Sequence, residues 1–531
     1  VLMWETGTIF VISGRDAPGE ERPMHARKFL SGRKVFIMKK LMTLALAAGM
    51  LLGAATGAGA IDFKAKGQWL MGFSAGDGSL ISHTKAKGSD HNSARDTDDI
   101  FSASQRVRLQ LDAVASEALS GTVFFEIGDQ VWGNAESGGA LGADGTVVEL
   151  KNAYIDWMVP NTDLKFRMGI QGIQLPNVAG GSAVFDDDVA GVVASYQFNE
   201  NVGLTTFWAR PYNDNYNTRA DRTNYQDNMD LFALMVPLTF DGVKVTPWAM
   251  YGMAGANSKT VKSMGPYTRP ISPDDGVANT TTGKAYGSMF WAGLPISLTL
   301  WDPLNVELDI NYGYVESMGR YTADRYNGTG FRMGDTKREG WLVKALVEYK
   351  MDWGTPGIFG WYASGDDGNV KNGSERMPTV SGCGNFMSFM GDGNYGWSSA
   401  GSLYDRNLTY TGTWGIGLRI HDLSFVEDLK HSFRVAYWGG TNSPSMAKYV
   451  EHSWGWDNGL DKDGHYLTTN DGLLEFNLVN SYQIYENLEA NLELGYIVNM
   501  MDDDTWKRSY RNDSYKKQDA WKAQLIFAYS F

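Results

Sequence analysis

From Trp521 to the C-terminus, apolar side chains occupy every odd position: Trp521, Ala523, Leu525, Phe527, Tyr529 and Phe531, with Lys522, Gln524 and Ser530 between them. A repeat of two places alternate side chains on opposite faces of a strand, so one face avoids water and the other is mixed. The same alternation appears in the first segment after residue 60, where Ile61, Phe63, Ala65, Trp69, Met71 and Phe73 alternate with Asp62, Lys64, Lys66 and Gln68.

Val107, Leu109, Leu111 and Ala113 alternate with Arg106, Arg108, Gln110 and Asp112, and Leu304, Val306, Leu308, Ile310, Tyr312 and Tyr314 with Asn305, Glu307, Asp309 and Asn311. Leu488, Ala490, Leu492, Leu494 and Tyr496 do the same against Glu489, Asn491 and Glu493.

Alternation alone fits a soluble β protein as well as a membrane barrel. The connections separate the two. Short joins centre on Glu117, Asn161, Glu200, Asp241, Asp302, Gly354, Asp422 to Lys430, and Glu486. Long polar loops cover about 74–98, 133–147, 172–188, 212–228, 254–284, 317–338, 365–409, 441–470 and 501–517. Short turns at one end and long loops at the other predict an all-β, transmembrane antiparallel β-barrel with periplasmic turns and extracellular loops. Eight turns plus closure of the last strand on the first give 18 strands. Sixteen is the alternative, because 357–364 and 410–421 are the least regular segments. Aromatic residues gather at the turn end, at Trp157, Phe198, Phe240, Trp301, Trp353, Tyr529 and Phe531, as a girdle at a bilayer interface requires.

Composition narrows the class further. Glycine is abundant, 62 of 531 residues, without a collagen period, and the single Cys383 excludes a disulfide framework or a CxxC metal or redox site. After residue 60 the longest uncharged apolar-leaning stretch, 285–301, is interrupted by Gly287, Gly293 and Pro295 and is shorter than the about 20 apolar residues of a spanning helix. Met38-Lys39-Lys40, the apolar run Leu41 to Leu52 and Ala58-Gly59-Ala60 read as a signal peptide over 38–60, with 1–37 an upstream, non-native extension and 61–531 the barrel domain. Removing the 8 basic and 4 acidic residues of 1–60 from the chain's 47 and 61 leaves 39 against 57, a net charge of −18. Nucleic acid is excluded as a general partner, because phosphate contacts need clustered Lys and Arg.

If the apolar faces meet lipid, the polar faces line a lumen wide enough for water. Arg106, Arg108, Lys165, Arg167, Arg419 and Arg434 fall on the polar phase and are the expected basic pore wall. The third long loop, Leu175 to Asp188, ends in Asp186, Asp187 and Asp188. Folded inward, those acids would face Arg106, Arg108 and Arg167 across the bore and set a transverse field acting on polar solutes. Trp248 and Trp438 fall on lumen phases, where they would stack a ligand or fill space beneath the loops.

The Lys-Lys signal, the opening Ile61-Asp62-Phe63-Lys64-Ala65-Lys66-Gly67, the Gln105-Arg106-Val107-Arg108-Leu109 strand, the Leu150 to Gly172 hairpin and the terminal Phe531 together resemble the outer-membrane homotrimeric porins of sulfate-reducing bacteria. The resemblance covers essentially all of 61–531. It implies a homotrimer in the outer membrane, in contact with lipid and lipopolysaccharide, that passes small hydrophilic solutes and ions through a third-loop constriction, with no cofactor. The expected strand number exceeds the sixteen of the best-known general porins.

Other readings have weaker support. A solute-specific channel, maltoporin-like or for an anion or nutrient, is the alternative within transport. Gly72-Phe73-Ser74-Ala75-Gly76 matches G-x-S-x-G, but a polar loop follows where a nucleophile elbow needs a helix. The 7 histidines form no HExxH pair, and no catalytic residue is expected; an outer-membrane barrel hydrolase, or a structural or adhesin β protein, is the alternative of another class. Acidic runs at Asp366-Asp367, Asp457 to Asp463 and Asp502 to Asp504 make calcium or magnesium bridging to lipopolysaccharide a candidate role for the surface loops, although Asp461-Lys462-Asp463-Gly464 lacks the acidic twelfth position of a calcium loop.

Overall fold

The computed structural model describes residues 61–78, 80–83, 99–143, 147–213, 228–255, 280–281, 286–324, 330–382, 386–387, 394–400, 409–449, 465–507 and 515–531. The expected signal peptide, the upstream extension, Cys383 and the acidic run Asp457 to Asp463 lie outside the described residues.

The alternating segments form one closed antiparallel barrel of 18 strands. The first half comprises β1 (Asp62–Asp77), β2 (Ile100–Ser116), β3 (Leu119–Val131), β4 (Val148–Met158), β5 (Lys165–Gln174), β6 (Asp186–Gln197), β7 (Gly203–Asn213), β8 (Asn228–Met235 and Leu238–Phe240) and β9 (Val243–Val245 and Trp248–Gly255). The second comprises β10 (Tyr286–Trp301), β11 (Leu304–Val315), β12 (Arg338–Tyr349), β13 (Thr355–Ala363), β14 (Thr413–Val426), β15 (Leu429–Gly440), β16 (Gly472–Tyr485), β17 (Leu488–Asn499) and β18 (Ala520–Ser530). β18 closes on β1 in register from Trp521↔Asp77 to Ser530↔Gln68. Each of the eight expected turns joins a strand pair.

The turns owe their sharpness to local chemistry. Asn161 and Asp428 adopt positive φ, 61° and 62°, and Gly242 follows Asp241 at 67°, conformations that short polar residues and glycine tolerate best. β8 and β9 are interrupted at Val236-Pro237 and Thr246-Pro247, because proline has no N–H for the ladder. The sheet stays connected there through Val236 N–H to the Pro247 carbonyl (3.0 Å) and Gly203 N–H to the Pro237 carbonyl (3.0 Å).

The two faces separate as the alternation requires. On β18, Lys522, Gln524 and Ile526 are buried in the interior while Trp521, Leu525 and Tyr529 point away from it. On β11, Asp309 and Asn311 are buried, with Ile310 and Tyr312 exposed on the outside. Removing one large apolar side chain from water contributes about 1.5–3 kcal/mol, so an outer wall of such residues calls for a hydrocarbon surround.

Two aromatic belts bound that wall. The turn-end girdle is present, with Phe198, Phe240, Trp301, Trp353 and Tyr529 exposed. A second belt at the loop end includes Trp208, Tyr251, Tyr312, Trp341, Tyr362 and Tyr496. Tyr349 and Trp341 lie on opposite belts of β12, eight residues or about 26 Å apart along the strand, which a tilt of about 40° reduces to roughly 20 Å, within a band about 25 Å tall. Among the described residues no helix is long and apolar enough to cross a membrane.

Candidate functional site

Two loops turn into the lumen. The first, 175–185, leaves β5 and re-enters at β6, and its neck closes through Leu175 N–H to the Phe185 carbonyl at 2.9 Å. It reaches the opposite wall: Trp248 Nε1 on β9 donates to the Pro176 carbonyl (3.1 Å), and Lys344 Nζ on β12 donates to the Gly181 carbonyl. Leu175, Ala179, Val184 and Phe185 are buried against inward side chains of β5 to β10, including Ile173, Phe207 and Trp248. An apolar arc of wall thus receives an apolar loop, and water is displaced from that side of the bore.

The second loop joins β13 to β14. Its 374–382 stretch meets the first loop, with Val380 N–H donating to the Val184 carbonyl (2.9 Å) and Asp186 N–H to the Ser381 carbonyl (2.7 Å). Farther on, Trp397 docks on the β18–β1–β3 wall. Gln524 Nε2 donates to its carbonyl (2.8 Å), its indole N–H donates to Asp129 (3.0 Å), and Ser399 Oγ donates to Ser74 Oγ (2.6 Å). Phe386 stacks on Phe359 at 4.6 Å. At the outer end of this loop the Glu375 carboxyl accepts from Asp367 N–H (3.1 Å) and Asn372 Nδ2 (2.9 Å). Burial, then the nearby carboxylates Asp366 and Asp367, push its pKa up to about 7.

Charged pairs in the lumen fall into two groups. Beneath the loops, Lys344–Asp309 (3.2 Å) is 0% and 1% exposed, and Lys522–Glu493 (3.5 Å) is 1% and 2% exposed. On β2 to β5, Arg108–Glu126 (2.6 Å) is 30% and 18% exposed, and Arg167–Asp156 (2.7 Å) is 41% and 35% exposed. Water therefore reaches the wall along β2 to β5. A cavity of about 670 Å³ opens there at the turn end, with Asp156, Lys165 and Arg167 on one side and Ile173, Phe207 and Met235 on the other.

The basic residues singled out from the sequence are dispersed around the barrel, on β2, β5, β14 and β15. Arg106 is buried with its guanidinium 5.4 Å from the Trp397 ring. Arg167 forks onto Asp156 through Nε and a terminal nitrogen and lies 4.2 Å from the Tyr154 ring. Lys165 is exposed at the start of β5. Arg419 pairs with Glu348 at 2.6 Å, and Arg434 lies opposite Arg419 in the β14–β15 register.

Asp186, Asp187 and Asp188 belong to the start of β6, and their hydrogen bonds run elsewhere than to Arg106, Arg108 and Arg167. Asp186 accepts from Gln174 Nε2 (2.6 Å), Asp187 from Ser381 Oγ (2.7 Å), and Asp188 from Lys151 and from Asn152 Nδ2 (2.8 Å). Trp248 and Trp438 both face inward under the loops. Trp438 is fully buried, donates to Glu475 (2.9 Å) and meets Trp361 edge-on at 4.4 Å.

Lys344 and Trp397 are residues that sequence reasoning passed over, and Asp309 entered it only as a member of the polar face of its strand. Lys344 could have been found as the one cation inside the apolar run Trp341 to Val347, and Trp397 as an indole in a loop otherwise rich in Gly and Ser. The G-x-S-x-G stretch lies within β1, where Ser74 donates to Gln524 Oε1 (2.6 Å) and has Ser398 and Ser399 as further partners. Among the described residues no group of three or more His, Cys, Asp or Glu side chains is arranged to hold a metal ion.

No protein-family model matches the sequence, and no curated protein does. Several solved structures are similar in shape. Pseudomonas aeruginosa OpdO is 14% identical, with a TM-score of 0.46 over 88% of this chain and 97% of that one. P. aeruginosa OpdL is 12% identical, with a TM-score of 0.45 over 88% and 99%. A BenF-like porin from Pseudomonas fluorescens Pf-5 is 11% identical, with a TM-score of 0.46 over 88% and 98%.

Proposed function

We propose that residues 61–531 form an outer-membrane porin, exported on the signal peptide at 38–60, that lets small hydrophilic solutes and ions diffuse passively. The observation that carries this reading is the pairing of an apolar outer wall with water-exposed charge inside the same closed barrel, at Arg108–Glu126 and Arg167–Asp156. A soluble barrel has the reverse need, a dry centre and a wet exterior. Eighteen strands enclose more space than side chains alone fill, and here two loops occupy part of it, leaving a polar path beside β2 to β5.

Arg108 and Arg167 on this path each have an acid on the neighbouring strand, Glu126 and Asp156. The wall is close to neutral locally, so selectivity is weak and is set by the groups beside the narrowest stretch, among them Asp186, Asp187 and Asp188. Homotrimeric assembly is part of the proposal and rests on the family resemblance. The solute-specific alternative draws support from the half-apolar, half-charged cavity at the turn end.

Detergent-extracted protein in planar bilayers tests the reading. We expect stable conductance steps that scale with bulk salt and occur in groups of three. Replacing Asp186, Asp187 and Asp188 together by Asn should shift the reversal potential in a salt gradient toward anion preference. An absence of conductance from folded protein would overturn the porin reading; block by submillimolar solute would favour the specific channel, and an unchanged reversal potential would remove those acids from selectivity.

A further inference from the structure

The Lys344–Asp309 pair is unlike the other charged pairs of the wall in what it touches. Both residues face inward, on adjacent strands β12 and β11 in direct register (Asp309↔Lys344). Their inward neighbours on β12, Leu342 and Leu346, are apolar and buried. A fully laddered wall gains little from an ion pair at such a place, since desolvating two charges offsets most of their attraction and an apolar pair of similar volume would serve as well.

An apolar pair could not do what these two side chains do to the loop above them. The Lys344 ammonium donates to the Gly181 carbonyl, forms an ion pair with Asp309 at 3.2 Å, and lies 5.1 Å from the Tyr410 ring. Tyr410 in turn donates its hydroxyl to the Gly180 carbonyl at 2.8 Å. The Asp309 carboxylate, beside the Lys344 ammonium, accepts from Asn311 Nδ2 (3.3 Å). Polar contacts to two consecutive carbonyls therefore hold the tip of 175–185, Gly180 to the second loop through Tyr410 and Gly181 to β12, seven strands on from the β5 strand that the loop leaves. The tip is shaped for this approach. Gly180 and Gly181 adopt left-handed φ of 64° and 83°, and a Cβ on Gly180 would lie 2.2 Å from the Tyr410 hydroxyl.

We propose that Lys344 and Asp309, with Tyr410, are positioning residues that hold loop 175–185 across the lumen and thereby set the bore of the channel. The claim about the bore rests on the porin reading; the claim about the loop does not. Released from the clamp, the Gly181 carbonyl recovers a partner only in water, which favours a loop swung away from the β11–β12 wall.

Two measurements separate the claims. With Cys383 replaced by Ser, a cysteine introduced by Ala179→Cys, at a position buried in the wild-type fold, is expected to resist a water-soluble maleimide and to become reactive when Lys344→Met or Asp309→Asn is added. In bilayers the same clamp variants are expected to raise single-channel conductance by about twofold and to admit larger uncharged sugars in liposome swelling, as a wider constriction requires. Lys344→Arg, which keeps the charge and the donors, should stay close to wild type in both assays. Retention of the heat-modifiable gel shift certifies that each barrel is folded, and Asp309→Asn serves where Lys344→Met is not. Unchanged maleimide protection in folded clamp variants overturns the positioning role whatever the conductance. Exposed cysteine with unchanged conductance and sugar cut-off overturns the link to the bore, and a wild type that conducts nothing while the cysteine result holds overturns the porin reading alone.

Discussion

At the scale of single residues, the lumen is shaped by glycines lying beneath rings. A Cβ at Gly293 would meet the Trp248 indole at 2.2 Å, one at Gly415 the Trp361 ring at 2.2 Å, and one at Gly72 the Trp397 ring at 2.6 Å. Each glycine lets a tryptophan lie flat on the wall, where its N–H can reach a loop carbonyl or a side-chain oxygen, as Trp248 reaches Pro176. Gly293→Ala should therefore lower the urea midpoint of the folded, heat-modifiable form, by about 1–3 kcal/mol in stability, the usual cost of overpacking. Gly172→Ala is the matched control: its Cβ would have only the Asp188 carboxylate at 3.5 Å, an ordinary contact, and should leave the midpoint unchanged. Equal midpoints for the two variants would show that the indole is not what requires glycine at 293. The abundance of glycine was plain in the sequence, but the pairing was not. Gly415 and Trp361 are 54 positions apart and are joined only by the register of β13 with β14.

At the scale of elements, strands and turns were legible and loops were not. A period of two survives any change of partner, and Asn161, Asp241 and Gly354 mark turns through local backbone chemistry alone, so the strand count of 18 could be read directly. A loop's path depends on which wall its few apolar groups find. The stretch 365–409 was read simply as a long polar loop, yet Met377, Phe386 and Trp397 carry it into the lumen. That loop also contains a titratable support. Glu375 has a pKa of about 7, raised mainly by burial and then by Asp366 and Asp367, with Lys337 the facing cation. Because the folded value lies above the ordinary carboxyl value, the folded loop holds a proton that an open one has released. Its stability is full at pH values below the ordinary carboxyl range and is lost as pH rises toward and through about 7. Protease cleavage within 364–382 should accordingly be slow at pH 5.5 and faster at pH 8, with Glu375→Gln slow at both. A wild type whose cleavage does not change over this range would dissociate Glu375 from the loop's stability.

At the scale of the whole molecule, the fold depends on which side of the sheet meets hydrocarbon, and two adjacent residues of β2 can decide that. Gln110 and Asp112 lie on the inner face, with Gln110 Nε2 donating to Asp112 (2.8 Å) and Thr122 Oγ1 donating to the same carboxylate (2.7 Å). Leu111 lies on the opposite face, in register with Val123 of β3. Six residues above Glu117, it sits about 15 Å up a band roughly 25 Å tall once strand tilt is taken into account, close to the bilayer midplane. A lysine there places its ammonium in lipid and costs about 2–4 kcal/mol, whereas a lysine at 110 enters water beside a carboxylate and costs little. Leu111→Lys should consequently reduce the fraction of protein recovered folded from membranes and lower its urea midpoint, while Gln110→Lys stays near wild type and shifts the reversal potential toward anions. The opposite ranking would mean that the apolar rows point inward, and neither the porin reading nor the loop clamp could then stand, since both require the charged face to enclose water.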